Sequence, residues 1–156
     1  MKQSVITITL PLVLFLVSCS FSSPTPYTNT PVTNTYTFRD TPALTLTASY
    51  PYFKDETYAP LNTATAQEVE VWRAIYDKML AQIQEGCEKD PVFASLRRYV
   101  EVNYTVESTK DEVSVTFNVQ YSSGGNTEPS YTKTFSMDLE SRMVYETFTQ
   151  TKRVYT

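Results

Sequence analysis

The chain reads as an α+β fold: an antiparallel sheet of about five strands packed against one long amphipathic helix, in the order β-α-β-β-β-β. Three observations predict it. Apolar residues recur at helical spacing between Val69 and Cys87, the period drops to two residues from Val100 onward, and a shorter alternating run at Leu44 precedes the helix. A sheet with one apolar face and a helix with one apolar stripe bury each other. No internal repeat interrupts this order.

Leu44, Leu46 and Ala48 alternate with Thr45, Thr47 and Ser49 as the first strand, and Tyr36 and Phe38 mark an earlier point at which it can begin. Val69, Trp72, Ile75, Tyr76, Met79, Leu80, Ile83 and Cys87 then form one helix face, while Glu68, Glu70, Arg73, Asp77, Lys78 and Glu85 mostly fall elsewhere. Thr65-Ala66-Gln67-Glu68 has the capping-box pattern and Gly86 the character of a C-terminal stop, so the expected helix runs over 66–85, roughly 30 Å. Asp90-Pro91 is a capping pair for a short helical turn through Leu96.

Val100, Val102, Tyr104 and Val106 alternate with polar residues, as do Val113, Val115, Phe117, Val119 and Tyr121, with the tight connection at Ser108 to Asp111. This predicts an antiparallel hairpin with one face buried and one wet. Ser122 to Asn126 is the next turn, and 131–139 and 143–148 supply two further strands joined at Glu140-Ser141-Arg142.

The segment ahead of the domain has a different character. Lys2 is followed by a stretch from Val5 to Val17 that is apolar apart from two threonines and Pro11. At about thirteen residues it is short of the roughly 20 that a membrane-spanning helix needs, and it has the n-region and h-region of an export signal. Leu16-Val17-Ser18-Cys19 closes it and resembles the lipobox of bacterial lipoproteins. That resemblance implies cleavage before Cys19 and a thioether-linked lipid on its thiol, with small neighbours giving a peptidase access to the bond. Two or three acyl chains anchor durably where one holds only marginally. The expected partner of Cys19 is therefore a lipid bilayer, and the expected location is the cell envelope outside the cytoplasm. If the cell has two membranes, Ser20 is compatible with the outer one.

Residues 19–42 follow as an expected flexible or polyproline-II tether, rich in Ser, Thr, Asn and Pro, with Pro24, Pro26 and Pro31 spaced against helix or central strand. The division is thus 1–18 signal, 19–42 acylated cysteine and tether, and 43–156 a single domain of ordinary size.

Composition narrows the function. Without Lys2, twelve basic residues face seventeen acidic ones, a net charge near −5. Arg97-Arg98 and Lys152-Arg153 are the only adjacent basic pairs, so no nucleic-acid partner is expected. With Cys19 acylated, Cys87 has no partner for a disulfide, and as the end of the helix stripe it reads as core. The chain contains no histidine, which removes the commonest metal ligand and the usual neutral-pH base. No catalytic residue, metal ligand or cofactor is assigned. Asp111, Glu112, Asp138 and Glu140 lie in expected turns, where carboxylates are solvated.

Twelve tyrosines all follow the apolar leader, and Tyr50, Tyr52, Phe53 and Tyr58 cluster ahead of the helix. Tyrosine gives rigid contact area with a polar tip, so these four are candidate binding residues, although strands also favour tyrosine for packing. Gly124 and Gly125 are candidates for holding a ligand on backbone N–H groups, with a plain turn as the alternative.

From residue 44 the landmarks fall in a familiar order. Tyr50-Pro51-Tyr52-Phe53, Leu61-Asn62 ahead of the helix, Tyr99 to Val106, Val113 to Phe117, Tyr121 to Gly125 and Phe135 to Leu139 together resemble a family of extracytoplasmic domains. These are the domains of RsiV-type, lysozyme-sensing anti-sigma factors and of the N-terminus of PdaC-type peptidoglycan deacetylases. The resemblance implies a helix-on-sheet fold and a module that binds an envelope component, either peptidoglycan or an envelope or host protein such as lysozyme. The alternative is a structural or assembly accessory lipoprotein that binds another envelope protein.

Overall fold

The computed structural model describes residues 25–96, 98–124 and 127–154. The expected signal segment, Cys19 and Gly125 lie outside the described residues. Six strands form one open sheet in sequence order: β1 (Tyr27–Phe38), β2 (Thr41–Phe53), β3 (Tyr99–Ser108), β4 (Glu112–Ser122), β5 (Thr127–Asp138) and β6 (Val144–Val154). One helix, α1 (Ala59–Lys89), connects β2 to β3 and covers one face. The α+β reading holds, with one strand more than expected.

The extra strand is β1, which corrects the tether: the segment expected to stay irregular to Pro42 becomes a strand at Tyr27, paired with β2 from Tyr27↔Phe53 to Phe38↔Thr41. Its alternate threonines suit a pleated strand, and Pro31, which cannot donate to a ladder, is tolerated because β1 is an edge. Arg39 and Asp40 make the turn, both at positive φ (48° and 63°), which is the primed geometry that follows the twist of a hairpin.

The strands from β3 to β6 form the expected antiparallel meander. Between β2 and β3 the pairing is parallel, from Thr45↔Tyr99 to Thr47↔Glu101, so the sheet is mixed and α1 is its crossover. Beyond this seam the buried parity of β2 changes, from Leu44, Leu46 and Ala48 to Pro51 and Phe53.

Helix α1 starts and ends outside the expected limits. Pro60 stands in its first turn, and Asp55 caps the 3-10 turn Glu56–Tyr58 that leads in. Asn62 reaches back to β2, accepting from Phe53 N at 3.0 Å and donating to Phe53 O at 2.8 Å, and so clamps strand to helix. Thr65 and Glu68 are therefore not a cap. Both are buried inside the helix, Thr65 donating to Asn62 O. Gly86 does not stop the helix either: the Phe93 ring occupies the space of the missing Cβ. Asp90 caps the turn Pro91–Ser95 by accepting from Val92 N, as expected.

The core lies between α1 and the sheet. Trp72 is fully buried with its ring edge-on to Phe117, centroids 5.0 Å apart, and Phe117 also meets Phe135 and Tyr104. Tyr76, Met79, Ile83 and Cys87 continue the buried stripe. The opposite sheet face is a polar lattice whose central row is Thr105, Thr116, Thr134 and Thr147 on four neighbouring strands. Among the described residues no helix is long and apolar enough to cross a membrane.

Candidate functional site

The four aromatic residues proposed as a binding loop occupy the end of β2 and the start of α1, and only one of them is open. Tyr52 is 49% exposed, whereas Phe53 is buried to 1% and Tyr50 and Tyr58 are half-buried against the core. The Phe53 ring lies 5.2 Å from that of Tyr58 and 5.7 Å from that of Tyr27, and Tyr27 meets Tyr104 at 6.1 Å. Tyr104 OH donates to Asn29 Oδ1 at 3.1 Å, and burial pushes this phenol above its ordinary range. These rings close the start of β1 onto β3. They are packing, and Tyr52 alone remains as contact surface.

Gly124 is at the other end of the sheet, near the start of β2, because Ser122 pairs with Tyr99 and Tyr99 with Thr45. Its φ of +88° and the approach of Leu96 Cβ and Arg98 Nε to the place of a Cβ explain the glycine as a turn residue. Arg98, 3% exposed, pins this corner by donating from Nε to Ser123 O and from Nη1 to Phe93 O and Leu96 O, with its guanidinium 3.9 Å over the Phe93 ring. Gly124 therefore does not meet the aromatic four in one site.

A polar centre that sequence reasoning missed lies midway along the helix–sheet joint. The Glu68 side chain is 1% exposed, and its Oε1 accepts from Tyr131 OH at 2.6 Å and from Trp72 Nε1 at 3.2 Å. Its Oε2 has Lys133 Nζ at 2.8 Å, an ion-pair contact without hydrogen-bond alignment. Lys133 also reaches the half-exposed Glu146 at 3.1 Å, so one ammonium bridges a buried carboxylate and an open one. The register dictates this: Tyr131, Lys133 and Phe135 share the helix side of β5, and Glu146 is the partner of Phe135 on β6. Burying Glu68 is tolerable because Oε1 accepts two hydrogen bonds and Oε2 is paired with the Lys133 ammonium.

Glu68, Lys133 and Glu146 line a cleft of about 210 Å³, walled by Ala64, Gln67, Val71 and Phe135. Burial, and then the Glu68 carboxylate, lift the Tyr131 phenol far above its ordinary range. Burial alone would lower the Lys133 ammonium, but Glu68 and Glu146 outweigh it and hold it above its usual value. The cleft is thus lined by a bridging Lys133, 17% exposed and paired with both carboxylates, and by the half-exposed Glu146. Glu68, expected with the polar residues away from the stripe, is instead buried on it: it stands four residues before Trp72 and so on the same face, a spacing that its capping-box context disguised.

No protein-family model matches the chain, and no curated protein matches it.

Proposed function

We propose that this is a lipid-anchored protein of the cell envelope, held by an acylated Cys19, whose domain binds an envelope component, either peptidoglycan or a protein such as lysozyme. The observation that carries this reading is the apolar leader ending in Leu16-Val17-Ser18-Cys19. A compact domain directly behind an anchor meets whatever lies at the membrane surface. The cleft lined by Lys133 and Glu146 supports a binding role, because a concave site with a few convergent polar groups is the usual form of a ligand site.

Two measurements test the reading. Metabolic labelling with a fatty acid marks the parent chain and not Cys19→Ala; label retained by the variant removes the anchor. Pull-down of the full chain with purified sacculi and, separately, with lysozyme gives capture by one of them that Glu146→Gln weakens. No capture by either leaves the proposed ligands without support. The second reading, an assembly subunit of another envelope protein, is favoured by one observation: the outer edge of β6 meets no further strand among the described residues.

A further inference from the structure

Thr25, the first described residue, has its Oγ1 3.1 Å from Ser108 Oγ at the end of β3. Tyr27 pairs with Phe53, Ser108 with Val113 and Glu112 with Asp138, so the turn after β3, the turn after β5 and residues 54–58 share one end of the sheet. Leu139 N donates to Asp111 O at 2.9 Å and ties the two turns together. The Asp55 carboxyl, lowered first by its bonds from Thr57, also feels Arg142 of the turn after β5. Four large apolar side chains stay open at this end: Tyr27 at 39%, Tyr52 at 49%, Met143 at 56% and Tyr145 at 54% exposure. Val92 and Leu96 are open too, but at the opposite end, where Leu96 packs on Gly124. Exposure alone therefore does not choose between the two ends.

The length of chain ahead of Thr25 does choose. Cys19 precedes Thr25 by six residues, which span at most about 3.6 Å each, roughly 22 Å in all. Strand β2, of thirteen residues, is about 40 Å long at roughly 3.3 Å per residue. With the opposite end turned to the bilayer, Thr25 would stand about 40 Å above it, beyond that reach. We infer that the Thr25 end of the domain lies against the lipid bilayer that Cys19 enters, with Tyr27, Tyr52, Met143 and Tyr145 set among the headgroups, a contact that rests on the anchor proposed above. Tyrosine suits that depth, since its ring takes apolar surroundings while its hydroxyl stays wet. Met143 adds a flexible apolar chain, and Tyr145 OH reaches its sulfur at 3.9 Å. Charge has the smaller part. Lys54, Lys110 and Arg142 are exposed here, but so are Asp55, Asp111 and Glu140, and Lys110 stands 3.8 Å from Asp111. Zwitterionic headgroups therefore suffice, and Val92 and Leu96 project away from the membrane.

Fluorescence quenching of the full chain on vesicles tests the contact. The chain, purified from membranes in mild detergent, is returned to phosphatidylcholine vesicles in which a small fraction of the lipids carries a nitroxide on the headgroup. Lys110→Cys and Val92→Cys each place one thiol for a fluorophore at an exposed position, the first at the near end and the second at the far end. Cys87 is buried, an acylated Cys19 is blocked, and the parent chain gives the background. Quenching should be strong at 110 and close to background at 92. Adding Tyr52→Ser and Met143→Ser to Lys110→Cys should roughly halve the quenching, because less apolar area enters the interface, while flotation with the vesicles and the melting temperature stay unchanged. In a chain that floats, equal quenching at the two positions, stronger quenching at 92, or indifference to the paired substitution overturns the contact and leaves the anchor standing. A chain that carries no fatty-acid label and does not float removes the anchor, and the contact with it.

Discussion

Trp72 and Asp77 lie on opposite faces of α1, and the contrast between them measures how firmly the helix is packed. Trp72→Ala removes a fully buried ring from Phe117 and is expected to cost about 3–5 kcal/mol, whereas the exposed Asp77→Ala should change stability by no more than about 0.5 kcal/mol. Urea unfolding compares them, and equal small shifts would contradict the packing. Alkaline pH probes the Glu68 centre. In the unfolded chain the Tyr131 phenol loses its proton near 10.0 and the Lys133 ammonium near 10.5; in the fold both values are raised. Between those values and the folded ones the native state binds more protons, so stability is complete below about pH 10 and falls as pH rises beyond it. Melting temperatures from pH 8 to 11 should show that fall, and Tyr131→Phe should make it shallower. A slope unchanged by Tyr131→Phe would mean that the phenol is not held as described. This centre was hidden from sequence reasoning because Tyr131 is 63 residues from Glu68, and only the strand register brings them together. Trp72 and Cys87, by contrast, were legible as core because helical spacing is a local property.

Elements whose signal is periodic were legible to within a few residues: the stripe of α1, the β3–β4 hairpin and the turns on either side of β5. The ends of α1 were not, because Thr65, Glu68 and Gly86 carry residue types that usually mark helix ends and here serve tertiary contacts. Strand β1 escaped for two physical reasons. Its prolines and threonines match a tether as well as an edge strand, and the Arg39-Asp40 turn lacks the glycine or asparagine that normally betrays a primed hairpin. The correction has a measurable side. Deleting residues 20–31 removes the first five residues of β1, with the Tyr27 contacts to Phe53 and Tyr104 and the Asn29 bond to Tyr104. The melting temperature is expected to drop by several degrees. An unchanged melting temperature would return those residues to the tether.

At the scale of the molecule, the candidate site was legible only in part: of the residues named from sequence, Tyr52 is open, the other described ones serve packing or a turn, and the cleft was found through register. What governs assembly of the whole is the three-residue parallel seam between β2 and β3, supplemented by Thr45 N donating to Arg98 O at 3.3 Å. Every other strand pair joins neighbours across a short turn. The seam must close a loop of roughly 50 residues, an entropic cost of about 3–4 kcal/mol before any contact repays it. It follows that the hairpins can form early and independently, while docking of β1–β2 onto β3 is the slow event that sets the folding time. Stopped-flow kinetics should find that Val100→Ala, at the seam, slows folding, whereas Phe135→Ala mainly speeds unfolding. Equal retardation by both would place the barrier elsewhere. On this view the long helix acts as a clock as well as a cover, since the strand it delivers reaches its neighbour last.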